Sequence, residues 1–141
     1  NGYVEESPMP RLYREAPVNA IWEGSGNVIA LDVLRAAKRD EDAAFGLLHQ
    51  LLEQTRGLPG GPETVLTIQS ALLSDDLEPR ARHIADRLYH LAAAAALTRS
   101  APPAIAEAFA QTRLAQPARM IGANDLGPAL KPLLDRAFTT I

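Results

Sequence analysis

The 141-residue sequence predicts an all-α protein, a helical bundle of about five or six helices with an irregular N-terminal arm. Three observations carry that expectation. Apolar residues recur three and four apart through most of the chain, the spacing of one helix face, and no stretch alternates as a half-buried strand would. Proline and glycine gather between those stretches, at Leu58-Pro-Gly-Gly-Pro62 and at Pro102-Pro103, and punctuate them. The run Leu91-Ala-Ala-Ala-Ala-Ala-Leu97 joins the best helix former to a side chain small enough for close helix approach.

Taken in order, residues 1–20 hold prolines at 8, 10 and 17 and little periodicity. They read as an extended arm with one short helical turn near Arg11–Glu15. Ser25 suits the N-cap of a first long helix reaching about Lys38. Val28, Leu31 and Leu34 form its stripe, widened by Ile29, Val33 and Ala37, and Arg35, Lys38 and Arg39 close it on the negative end of the dipole. Asp40 caps a second helix to about Arg56, stopped by Gly57, with Ala44, Phe45, Leu47, Leu48, Leu51 and Leu52 facing inward. Pro62 fits the first turn of a third, whose apolar set is Val65, Leu66, Ile68, Leu72 and Leu73.

Asp75-x-x-Glu78 resembles a capping box for the longest helix, to about Arg99, with a seam of Leu77, Ala81, Ile84, Leu88, Leu91 and Ala95. A fifth, from about Pro103 to Leu114, buries Ile105, Phe109 and Leu114. Residues 117–127 form a loop. A last helix near 127–138 carries Leu130, Leu133, Leu134 and Phe138, and Pro132 either kinks it or marks its start.

Composition narrows the chemistry. The absence of cysteine rules out disulfides, thiolate catalysis and thiolate-bound zinc, and suits a reducing compartment. The three histidines lack metal-ligand spacing, so no metal is expected. No apolar run of membrane-spanning length and no export signal is present, so a soluble, cytoplasmic chain is expected. The formal net charge is −3; residues 1–40 carry five basic and six acidic side chains and residues 41–141 carry nine and eleven. Neither part offers the positive surface on which nucleic-acid binding usually begins.

The densest chemical signal is Arg11-Leu-Tyr-Arg-Glu-Ala-Pro-Val-Asn-Ala-Ile-Trp-Glu-Gly-Ser-Gly-Asn27. It sets one acid, Glu23, between the only tryptophan, Trp22, and a Gly-Ser-Gly turn that opens a helix. An indole strips water from a neighbouring carboxylate, and a desolvated carboxylate is a better base toward a carbon-bound proton. Ser25-Gly26-Asn27 suit a helix start that faces a phosphate or another anion. Plainer readings stand beside these: Glu23 as an acid placed by the helix dipole, Trp22 as a core or interface aromatic, Ser25 and Asn27 as ordinary caps.

These residues resemble the C-terminal part of the acyl-CoA dehydrogenases. Asn1-Gly2-Tyr3 is similar to the end of that family's Gly-Gly-x-Gly-Tyr segment. Tyr13-Arg-Glu15 resembles its Met/Tyr-Arg-Asp/Glu segment, and Trp22-Glu-Gly-Ser25 its Tyr-Glu-Gly-Thr segment. The wording of residues 1–39 is closer to the AidB-like branch, the isovaleryl-CoA-dehydrogenase-like proteins of the DNA-alkylation response. Beyond that, the resemblance rests on helical pattern and on Ala106-Glu-Ala-Phe-x-x-x-Arg-Leu114.

The resemblance implies an FAD-dependent oxidoreductase acting on an acyl-CoA thioester, with Glu23 as catalytic base and Gly24 beside the thioester. Trp22, Ser25, Gly26, Asn27 and Gly2 would contact the flavin. It implies that 1–39 end the dehydrogenase helical domain, that 40–141 are an appended AidB-like region, and that the complete protein is a dimer or tetramer. The family's preceding glycines, N-terminal helical domain and β-barrel lie outside these 141 residues, so no activity is expected of this chain by itself.

The AidB-like branch is also linked to DNA. Arg80, His83, Arg87 and His90 fall on one stripe beside the apolar seam, which reads either as a phosphate-facing surface or as a solvated face laced by an Arg82–Asp86 pair. Arg11 and Arg14 read as partners for Glu5, Glu6 or Glu15, or as subunit contacts.

Overall fold

The computed structural model describes residues 2–75, 77–117 and 126–137. Among them are seven α-helices: α1 Met9–Asn19, α2 Gly26–Arg39, α3 Glu41–Thr55, α4 Gly61–Leu72, α5 Ala81–Ser100, α6 Pro103–Ala110 and α7 Leu130–Ala137. No strand occurs among the described residues, and the expected all-α class is found.

The twenty-residue α5 is the hub. It packs against α2, α3, α4 and α6, and the seam read from its sequence is the seam it buries. Leu77, Ala81, Ile84, Leu91 and Ala95 are in the core, with Leu88 packed against it. Ala94 and Ala95 are buried too, so neighbouring backbones approach where a larger side chain would hold them apart. Leu34 of α2, Leu48 and Leu51 of α3, Val65 and Ile68 of α4, and Leu114 complete the core. Fully burying each such side chain is worth about 1.5–3 kcal/mol before entropy is counted.

Several local expectations hold. The Asp40 side chain accepts from the Ala43 backbone N–H at 3.0 Å and caps α3. Lys38 and Arg39 lie in the last turn of α2, and α4 carries proline in its first turn.

Others are corrected. The N-terminal arm contains an eleven-residue helix, α1, where one short turn was expected. Pro8 and Pro10 sit at its start, where a backbone N–H has no helical partner to lose, and Pro17 falls only two residues before its end. The Asp75-x-x-Glu78 box does not cap α5. A 3₁₀ turn, Glu78–Arg80, intervenes, and neither it nor α5 has a side-chain cap. α3 ends at Thr55, just before Gly57 as expected, but the positive φ in that connection belongs to Gly60, at +74°. Leu47, Leu66 and Leu73 are exposed, because the helical stripe is wider than the part its neighbours cover. The fifth helix changes pitch: α6 ends at Ala110, and a π-turn, Gln111–Ala115, brings Leu114 into the core. Most of the expected 117–127 loop, and Phe138, lie outside the described residues.

Candidate functional site

The turn between α1 and α2 holds the acid–glycine motif. It forms because α1 runs out by tightening. The Trp22 N–H donates to the Val18 carbonyl at 3.0 Å, and the Gly24 N–H to the Ile21 carbonyl at 3.0 Å. Gly24 then reverses the chain at φ +112°, a conformation that L side chains rarely adopt. Ser25 is extended and stands at the N-cap position of α2. Its carbonyl accepts from Ile29 at 3.1 Å, but its hydroxyl makes no capping bond. The first turn of α2 contains no acid, and a Cβ at Gly26 would meet nothing within 4 Å. Among the described residues, the positive end of α2 therefore carries no side-chain cap and no acid in its first turn.

Trp22, Glu23, Ser25, Gly26 and Asn27 are brought together on one exposed turn. Trp22 is 68% exposed, and the Glu23 carboxylate has no hydrogen-bond or ion-pair partner among the described residues. The shielding that the adjacent indole suggests is not provided within this chain. Gly2 lies apart in sequence, packed under α1. A Cβ there would stand 2.9 Å from Tyr13 Cβ, so the close approach admits only glycine without a shift. Arg14 pairs with Glu5 at 2.7 Å, and Arg11 with Glu15 at 3.7 Å. Both arginines thus meet acids of the expected set. The apolar residues around the turn, Leu12, Tyr13, Val18, Ile21 and Trp22, are all exposed, and although Pro10 is buried, α1 shares no extensive contact with any other helix among the described residues.

The stripe running from the 3₁₀ turn into α5 does not present its four residues alike. Arg80 and His83 are exposed. Arg87 turns inward: its Nη1 donates to the Arg113 carbonyl at 3.1 Å, and its Nη2 to the Leu114 carbonyl at 2.9 Å and to the Thr64 hydroxyl. Those carbonyls end the π-turn, where helical acceptors lack helical donors, and a guanidinium supplies them. Asp86 meets His90, Nδ1 to Oδ1 3.4 Å, rather than Arg82. Sequence inspection gave no signal for the Arg87 clamp, because its partners lie more than twenty residues away. No group of three metal-ligating side chains occurs among the described residues, and no described helix is long and apolar enough to cross a membrane.

No family model and no solved structure matches the chain. Two curated relatives do. One, from Escherichia coli (strain K12) and named "Putative acyl-CoA dehydrogenase AidB", is 37% identical over 113 residues, covering 80% of this chain and 21% of the relative. The other, acyl-CoA dehydrogenase family member 11 of Caenorhabditis elegans, is 47% identical over 58 residues, 39% of this chain and 9% of that protein. The all-helical fold agrees with the helical C-terminal domain of such dehydrogenases, and the chain is a relative of the acyl-CoA dehydrogenase family. Within that family its similarity runs to the AidB-like proteins, as its first residues suggest. The chain spans about one fifth of the longer match.

Proposed function

We propose that this chain contributes the base-bearing turn of an FAD-dependent acyl-CoA dehydrogenase-like oxidoreductase. One observation supports this above the rest: an acid unpaired among the described residues, Glu23, stands beside a bare-backbone glycine and a helix start without a side-chain cap. The chain around it is similar to AidB over most of its length.

In this reading Glu23 takes the α-proton of an acyl-CoA thioester onto its carboxylate. Gly24 offers backbone without a side chain where the thioester would lie. When bound, FAD supplies the acceptor for the β-hydride. The residues present fit such a group: Ser25 keeps its hydroxyl free of capping, Gly26 leaves open space, and Trp22 offers an indole face. Asn27 and Gly2 join this flavin-contacting set by resemblance. The water-excluding walls then come from cofactor, substrate and polypeptide beyond this chain. The division at 39/40 and a cytoplasmic location belong to the same proposal.

The test is Glu23→Gln in a complete protein carrying this segment. Flavin reduction by an acyl-CoA should fall by about two orders of magnitude or more, the scale of a lost general base, with FAD content unchanged. Undiminished reduction would remove Glu23 from the chemistry. The 141-residue chain alone should bind no FAD stably; a yellow product with one flavin per chain would contradict this.

A second reading, a DNA-binding or oligomerisation module with vestigial catalysis, draws support for its assembly part from the exposed apolar arm. A dimer or tetramer of the complete protein would cover that surface. Its DNA part would rest on Arg80 and His83, since Arg87 spends its donors internally.

A further inference from the structure

A second feature, independent of the dehydrogenase reading, is a cleft that opens to solvent between α2 and α3. α2 and α3 meet α4 and α5 around this cleft, of about 330 Å³. Its lining includes the buried Leu34, Leu48, Ile68 and Ile84, the half-buried Leu88 and, at the mouth, the exposed Leu47. Alanines on α2 and α3, such as Ala36 and Ala43, leave the gap that larger residues would fill. Among the described residues Asp40 is the single charged residue of the lining, and one of its oxygens is held by the Ala43 N–H at 3.0 Å.

We propose that this cleft binds a small, uncharged, hydrocarbon-rich molecule. The volume lies within the range of ligand sites, about 300–1,000 Å³, and exceeds that of an apolar cavity of about 150 Å³ known to take benzene. The apolar lining holds water weakly, so an apolar molecule displaces it at little cost. Charge selects further. Among the described residues no cation lines the cleft itself, and Lys38 lines an adjoining pocket together with Glu41, so the one charge on the cleft's own wall is the negative Asp40, which favours a neutral occupant.

The neutral fluorophore N-phenyl-1-naphthylamine tests this on the 141-residue chain. Its emission should rise saturably, with one site per chain. Ala43→Leu fills the cleft from an exposed position and should raise the half-saturating concentration at least tenfold, with the circular dichroism spectrum unchanged. Ala36→Leu, also at an exposed lining position, should do the same and serves if the first variant fails to fold. Leu66→Ala, on the exposed side of α4, should leave binding as it was. 1-Octanol should displace the probe and octanoate should not. Unsaturable emission, indifference of a folded cleft variant, equal displacement by octanoate, or a dimer whose formation abolishes probe binding would each overturn the proposal.

Discussion

At the scale of single residues, the strongest constraints are ones that distance along the chain conceals. Arg87 holds three acceptors on two elements, including Thr64, whose side chain is fully buried. Hydrogen bonds from a charged donor are worth about 1.5–3 kcal/mol net. Arg87→Ala should therefore destabilise the chain by about 2 kcal/mol, read as a lower urea midpoint with an unchanged slope. An unaltered midpoint would return Arg87 to the solvated stripe. Gly60 is constrained twice. Its φ is +74°, and a Cβ would lie 2.5 Å from the Ala115 backbone nitrogen. Gly60→Ala should cost about 2 kcal/mol or more, since backbone must move as well as twist. Around the candidate base, the neighbouring types Trp22, Gly24 and Ser25 were legible because they are contiguous. The exposure of Trp22 was not, because exposure depends on what the rest of the molecule covers.

At the scale of elements, boundaries followed local chemistry where the chemistry was local. Asp40 capping α3 and proline opening α4 are interactions within one turn, so residue type and spacing reveal them. α1 was underread because prolines at a helix start resemble prolines that prevent one, and only their position in the first turn separates the cases. The Asp75–Glu78 box has the spacing of a cap, but a 3₁₀ turn takes its place once Leu77 is drawn into the core. Gly46 gives the contrasting test to Gly60. It lies mid-α3, and a Cβ there would meet nothing within 4 Å. Gly46→Ala should stabilise by about 0.5–1 kcal/mol, because alanine loses less backbone freedom on entering a helix. A raised thermal midpoint would show it; a lowered one would mean that α3 is not helical there.

For the molecule as a whole, the helices from α2 to α6 share one core, while the exposed ion pairs of α1 and the contact of Tyr13 with Gly2 stay within the N-terminal arm. Exposed pairs contribute about 0–1 kcal/mol each, so α1 should open independently. Amide exchange should be fast along α1 and slowest in α5 around Leu91, whose side chain is fully buried; equal protection would show that the arm folds with the core. Docking against further polypeptide should slow exchange in α1 and shift the emission of Trp22, the sole tryptophan, to the blue. Read along the chain, the 141 residues were enough for the all-α class, the buried seam of α5, the breaks between helices and the likeness to AidB-type dehydrogenases. Each of these depends on neighbours within a turn or two, or on contiguous wording. Packing settled which leucines stay wet, where Arg87 points and why Gly60 admits no side chain. Those outcomes depend on contacts between elements far apart in sequence, and periodicity within one helix carries no record of them.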